Sequence, residues 1–345
     1  MGAEQHDQPA QVRRLTAEVT TMKAIVQDTY GEAEDVLGVA EIGRPEIADD
    51  EVLLRVHAAG VDRGVWHIMT GLPYPIRLMG YGVRAPSTRV RGREVAGRVE
   101  MIGKDVTTLR PGDEVYGISE GSFAEYAPAR ADKLAPKPKN LTFVQAAATP
   151  VSALTALQAV RDSGQVQPGQ KVLIIGASGG VGTFAVQIAK TYGAEVTGVC
   201  STTKVDLVRS LGADHVIDYA IHDITHAGQR YDVILDIGGN RSLTHLRRAL
   251  APRGTLVIVG GETGGRWLGG VDRLLRAPLL SRFVGQKLVT LTNSENAQDL
   301  IVLTELIESG AVTPAVDRTY PLSETVAAIT YMHQGHARGK VVITV

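Results

Sequence analysis

The sequence predicts an α/β fold: a β-rich, barrel-like unit, then a doubly wound parallel sheet, then a C-terminal strand that returns to the first unit. Three observations carry this. Short β-rich runs broken by Gly and Pro fill residues 22–141. From about Lys171, apolar strands alternate with helices, the pattern of a parallel sheet covered on both faces. After about Val312 the β-rich texture comes back and closes the chain.

The elements follow in order. Residues 1–21 are polar and mix Arg13 and Arg14 with Glu4, Asp7 and Glu18. They have no apolar stretch, so they read as an N-terminal extension rather than a signal or clean transit peptide. Strands are predicted at 22–27, 51–58, 94–102 and 113–117, the last two joined by the turn Arg110-Pro111-Gly112-Asp113. Residues 171–175 form an apolar strand and 181–192 a helix with apolar spacing. Then come strand 195–200, helix 205–211, strands 215–219 and 231–237, helix 242–250, strands 255–260 and 287–292, and helix 296–309. A β-rich stretch at 312–322, a helix at 323–333 and a strand at 339–345 complete the series. The expected division is an extension (1–21), the first part of a catalytic domain (22–146), a nucleotide-binding domain (147–312) and a catalytic-domain return (313–345), in keeping with ~100–200 residues per domain.

Hydrophobic residues make up 44% and charged residues 21% of the 345, ordinary values for a globular chain. The 36 basic and 37 acidic side chains leave a net charge of -1, which argues against nucleic acid as a partner. No apolar run approaches the ~20 residues of a membrane span. Cys200 is the single cysteine. An intrachain disulfide and a Cys-based structural zinc site are therefore excluded, and a reducing, cytoplasmic setting is expected.

The strongest chemical signal is Gly176-Ala177-Ser178-Gly179-Gly180-Val181-Gly182, between a predicted strand and a predicted helix. That is the setting of a dinucleotide-binding loop. Small residues let the backbone turn and approach a pyrophosphate, and the helix N-terminus offers free N–H groups and a favourable dipole. Gly179 and Gly182 occupy the second and third glycines of G-x-G-x-x-G; Ala177 stands at the first, with Gly176 before it. A glycine-rich turn without a ligand is the competing reading, and the strand–loop–helix context argues against it. Where an Asp or Glu would take the ribose hydroxyls of NAD, the next strand ends in Ser201-Thr202-Thr203-Lys204. Hydroxyls and a lysine suit a 2′-phosphate, so NADPH is the expected cofactor. A Ser or Thr there is also an ordinary helix cap, and both roles are compatible. Asp206, one turn further on, counts slightly against this choice.

Taken together, the sequence resembles the medium-chain dehydrogenase/reductase superfamily, in its quinone-reductase and enoyl-reductase branch. The matching segments are 22–26, 51–60, Gly92-Arg93-Glu94-Val95-Ala96-Gly97, Arg110-Pro111-Gly112-Asp113-Glu114-Val115, Gly121-Ser122-Phe123-Ala124-Glu125-Tyr126, 146–157, 176–190, 211–219 and 335–345, in order. The resemblance implies a Rossmann doubly wound parallel sheet inserted in a β-rich GroES-like catalytic domain, with the active-site cleft between them. It places Thr155 near the nicotinamide, Lys204 and Tyr219 as a pair on the 2′-phosphate, Gly260 and Gly261 beside the nicotinamide, and Lys340 in the C-terminal Gly-Lys-Val-Val motif. It is compatible with a homodimer.

Zinc-dependent members of that superfamily carry a cysteine ligand after the 51–60 strand, a Gly-His-Glu motif and a four-cysteine lobe. Here Asp62 stands near the first position and the motif reads Gly92-Arg93-Glu94. Arginine stays protonated and cannot ligate, and a catalytic zinc needs ~three protein ligands, so no metal is expected. Quinone reductases usually have asparagine where this chain has Asp62, which leaves the substrate-side polar group open.

Trp66, Tyr74 and Tyr81 lie in a Pro/Gly-rich stretch expected to border the substrate cleft with Asp62; Tyr74 is the candidate proton donor, with packing as its competing role. His222 and His226 lack a third metal ligand and read as exposed loop, and His333 and His336 as surface. Within 268–283, Leu274, Leu275, Leu279 and Leu280 alternate with Arg273, Arg276 and Arg282. A helix packed over the cofactor or at a dimer contact is favoured there over a membrane-surface helix. The expected activity is hydride transfer from NADPH to a small-molecule acceptor, a quinone or an α,β-unsaturated carbonyl. A non-catalytic NADPH-binding sensor or scaffold, and an alcohol dehydrogenase or ketone reductase, are the alternatives.

Overall fold

The computed structural model describes residues 20–225, 228–261 and 265–345. The expected N-terminal extension, except its last two residues, and His226 lie outside them. The first unit contains β1 (Thr21–Val26), β2 (Gly38–Gly43), β3 (Glu51–Val61), β4 (Glu94–Ile102), β5 (Glu114–Ile118), β6 (Tyr126–Arg130) and β7 (Leu134–Pro136). Next come β8 (Lys171–Ile175), β9 (Glu195–Cys200), β10 (His215–Asp218), β11 (Tyr231–Asp236), β12 (Leu250–Ile258) and β13 (Lys287–Thr290), and the chain closes with β14 (Val316–Pro321) and β15 (Lys340–Thr344).

β8 to β13 form one sheet in the order β10-β9-β8-β11-β12-β13, every neighbouring pair parallel. Counted along the chain within the sheet, that is 3-2-1-4-5-6, the doubly wound order. Successive side chains point to opposite faces. Val172, Ile174, Val233, Leu235 and Val257 meet Leu154, Leu157, Phe184 and Ile188 on one face. Leu173, Ile175, Ile234, Leu256 and Ile258 meet Leu246, Ala249 and Ala277 on the other. Burial on both faces is why these strands read as unbroken apolar runs rather than alternating ones.

The β-rich unit is built around β3. β15 pairs antiparallel with β3, bringing Val341 opposite Val61, and β14 lies parallel beyond it. β4 and β6 also pair with β3, and β5 and β7 continue the sheet beyond β4. Val52, Leu54, Val56, Val95, Val99 and Val115 fill its interior. The C-terminal strand therefore returns to the first unit, as its sequence predicts. The β-rich texture at 312–322 narrows to Val316–Pro321. The strand expected at 255–260 begins earlier, at Leu250, and ends at Ile258, so Gly260 and Gly261 lie past its end.

Candidate functional site

At a doubly wound sheet the ligand crevice opens where the strand order reverses, at the carboxyl ends. Here that point lies between β8 and β11, and a cleft of about 540 Å³ opens there. Its floor is the glycine loop after β8 and residues 237–241 after β11. Its opposite wall comes from the β-rich unit: Asp62, Arg63, Gly64, Arg93 and the segment leading into β15.

Gly176 carries φ +88, the left-handed turn that favours glycine. The backbone N–H groups of Gly176 and Ala177 both donate to the Val199 carbonyl at 3.1 Å. The turn thus falls one residue before the first glycine of the usual pattern, which is why Ala177 is tolerated; its Cβ faces Gly198, where an added Cβ would come within 3.0 Å. Gly179 caps the helix Gly180–Thr191. A Cβ on Gly179 would meet only the Gly176 carbonyl, at 3.5 Å, whereas one on Gly182 would lie 2.1 Å from the same oxygen. One glycine leaves open space above the helix N-terminus; the other lets the helix pack on the loop.

At the end of β9, Ser201 opens the short turn Thr202–Lys204. Ser201, Lys204 and Tyr219 line the cleft together, and the Tyr219 side chain is exposed. Thr202 is exposed but off the lining. The Lys204 ammonium donates to the carbonyls of Gly335 and Ala337, each at 2.8 Å, and burial pulls it below the usual lysine range. Asp206 turns away: its side chain is fully exposed, 3.6 Å from Arg209. No repelling carboxylate from that turn reaches the lysine–tyrosine pair.

Lys340 differs from its expected role. Its side chain lines the cleft, but its ammonium is buried on the Glu94 carboxylate and 3.2 Å from the Ser152 hydroxyl. Glu94 is fully buried and also accepts from the Val151 N–H at 2.9 Å. Burial pushes its carboxyl above the usual range, against the pull of Lys340. The same region bridges the units, because Gly179 pairs with Gly339.

Asp62 lines the cleft. One carboxylate oxygen caps the helix Arg63–Thr70 through Val65 N–H at 3.0 Å, and the other is buried without a hydrogen-bond partner among the described residues. Beside it, Arg93 pairs with Glu295, which also receives Lys133 at 3.1 Å. Thr155 is off the lining: its hydroxyl donates to the Val151 carbonyl at 2.7 Å and accepts from Asn293 at 3.0 Å. Gly260 packs against the carbonyl of cleft-lining Ile237. Trp66 stacks on His333 at 4.2 Å. Tyr74 sits edge-on to Trp267 at 5.1 Å under the Arg77 guanidinium, away from the cleft. Tyr81 borders a second cavity, which shares Arg93 with the first. Ser178, Gly180 and Val181 do line the cleft.

Asn240 and Arg241 line the cleft and escaped sequence reasoning. Their signal was there: Gly238-Gly239-Asn240-Arg241 follows a predicted strand, and the doubly wound order puts that strand's end opposite the first glycine loop. Arg273, from the helix Val271–Ser281, holds this segment through Asp236 and the Gly239 carbonyl. That helix therefore braces the cleft floor while Leu275 and Leu279 face outward.

A doubly wound sheet with a glycine loop at its switch point, facing a β-rich unit across a cleft, defines a dinucleotide-dependent oxidoreductase. Two family models match: an alcohol dehydrogenase GroES-like domain over residues 48–139 and a zinc-binding dehydrogenase domain over 211–343. The chain is 33% identical to the mitochondrial NAD(P)H oxidoreductase RTN4IP1 of Mus musculus, over 97% of this chain and 92% of that protein. It is 35% identical to the chloroplastic NADPH-dependent alkenal/one oxidoreductase of Arabidopsis thaliana, over 93% and 79%. The quinone oxidoreductase structure from Coxiella burnetii superposes with a TM-score of 0.81 at 28% identity, over 94% of this chain and all of that one. The chain belongs to the medium-chain dehydrogenase/reductase superfamily, in its quinone-reductase and enoyl-reductase branch.

Proposed function

We propose that this oxidoreductase transfers hydride from NADPH to a quinone or an α,β-unsaturated carbonyl, without a catalytic metal. The observation that carries the cofactor choice is the placing of Lys204 and Tyr219 on one rim of the cleft, with Asp206 turned out. The glycine loop and the N-terminus of Gly180–Thr191 receive the pyrophosphate, and Gly238, Asn240 and Arg241 border the reacting end. When bound, NADPH supplies the hydride. The residues present do not fit a zinc: Arg93 cannot ligate, Glu94 is tied to Lys340, and Cys200 is the single thiol. With Tyr74 away from the cleft, water is the proton source for the reduced acceptor. A quinone or enone tolerates this because conjugation spreads the incoming charge. The reading includes residues 147–312 as the NADPH-binding domain and a homodimer, which the exposed Leu275, Leu279 and Phe283 support. It also includes a reducing compartment, suited to a lone buried thiol that burial pushes up to about 11. No helix among the described residues is long and apolar enough to cross a membrane.

The decisive experiment follows NADPH oxidation over a panel of quinones, enals, enones and simple ketones. Faster oxidation of a simple alcohol than any quinone or enone reduction overturns the reading; tight NADPH binding without turnover makes the chain a binding protein. Lys204→Ala is expected to raise the Michaelis constant for NADPH about ten- to a hundredfold, the loss of one charge-assisted contact, and to leave that for NADH nearly unchanged. Equal losses with both cofactors sink the phosphate assignment. Activity is expected to survive dialysis against a strong chelator; stoichiometric zinc whose removal abolishes turnover reverses that conclusion.

A further inference from the structure

The second cavity, about 530 Å³, adjoins the cofactor cleft at Arg93 and is lined by Val65, Ile68, Tyr81, Arg91 and Ser119 among others. Its charges do not balance. Arg91 is only 3% exposed, donates to the Thr88 carbonyl and hydroxyl, and has no carboxylate within ion-pair reach among the described residues. Its Nε has no hydrogen-bond partner among the described residues. Ser119 is 4% exposed, and its hydroxyl is likewise buried without one among the described residues. Further along the lining, Arg93 and Lys133 both meet Glu295, and the Asp62 carboxylate also acts on Arg93. Of the other lining acids, Glu51 accepts from the Ala48 N–H at 2.9 Å and Glu120 is exposed.

A buried cation without a counter-charge is costly, and so is a buried hydroxyl without a partner. Burial lowers the Arg91 guanidinium only to about 10, so it stays charged at neutral pH. A carboxylate suits either group, since it offers two oxygens to a planar donor fork and accepts from a hydroxyl.

We infer that the acceptor carries, besides its conjugated carbonyl, a carboxylate that Arg91 and Ser119 receive in this cavity. The inference rests on the reading of the chain as an NADPH-dependent reductase.

The test compares naphthoquinones bearing carboxyalkyl chains of increasing length with their methyl esters, by initial rates of NADPH oxidation. For the best-fitting chain length, kcat/KM for the acid is expected to exceed that for the ester about ten- to a hundredfold, the worth of one charge-assisted interaction. In Arg91→Leu the acid-to-ester ratio is expected to fall to about one, and in Ser119→Ala by a few-fold. Arg91→Lys, which keeps the charge but loses the fork, should give an intermediate ratio, and it serves if the leucine variant does not fold. Acid and ester reduced equally well by the unaltered protein overturn the carboxylate inference and leave the reductase reading standing. A ratio that persists in Arg91→Leu removes Arg91 from it. Reduction of neither series, nor of any simple quinone or enone, fails the reductase reading and this inference with it.

Discussion

Lys340→Met is expected to destabilise the folded protein by about 3–5 kcal/mol, because it leaves the Glu94 carboxylate buried and uncompensated. The loss should depend on pH in a direction the burial fixes. With the ammonium gone, only the Val151 N–H is left to offset the desolvation that already holds Glu94 above the usual range. In the unfolded chain the same carboxyl titrates near ~4.3. Below that pH both states carry the proton and the penalty vanishes. Above it the unfolded state ionises first, so the variant loses stability as pH rises, at up to about 1.4 kcal/mol per pH unit. Denaturant unfolding of both proteins at pH 5 and pH 8 measures this. The double variant Lys340→Met/Glu94→Leu should recover much of the loss, since removing both charges removes the uncompensated one. A deficit that is the same at both pH values, with no recovery in the double variant, shows that Lys340 matters through packing alone.

The two loop glycines should separate stability from cofactor binding. Gly179→Ala places a methyl group in open space above the helix N-terminus, where its only neighbour is 3.5 Å away. The residue has φ -86, which alanine adopts freely. Stability should hardly change, while NADPH affinity should fall at least about a hundredfold, because the methyl occupies the line of approach to the N–H groups. Gly182→Ala instead drives a methyl to 2.1 Å from the Gly176 carbonyl and 2.7 Å from the Ala177 Cα. The helix must back away from the loop, at about 1–3 kcal/mol for overpacking, and affinity should fall as well. Thermal unfolding and fluorescence titration with NADPH resolve the pair. Weaker binding together with lost stability in Gly179→Ala contradicts the division of roles.

Local signals carried much of this architecture. β8 and β9 match their predicted bounds because strands buried on both faces announce themselves as apolar runs, and β4 matches because Gly92 and Gly103 punctuate its ends. β2, β6 and β7 were not foreseen: β2 is mostly exposed, and β6 and β7 have five and three residues. The glycine loop, Ser201 and Lys204 could be placed on the cleft lining because a strand end and a helix start fix them locally, whereas Tyr219 came from the family resemblance alone. Lys340 was misjudged for the opposite reason. Its partner Glu94 is far away in sequence, and only the return of β15 beside β3 brings the two together. The Thr155 hydroxyl turns back to its own helix and to Asn293, a preference no spacing reveals. The unpaired state of Arg91 is likewise a tertiary property: it depends on which acids come near.

The pairing of β15 with β3 also governs how this chain must fold. The edge of β3 that receives β15 stays open until a segment on the far side of the entire parallel sheet has been synthesised. N-terminal-first folding on the ribosome can therefore complete the inserted sheet, whose strand pairs are comparatively close in sequence, but not the unit that begins the chain. Contacts of such sequence separation form slowly, and an open strand edge invites pairing with other chains in the interval. The nascent chain is thus most exposed to aggregation, and most in need of a chaperone, just before its last strand docks.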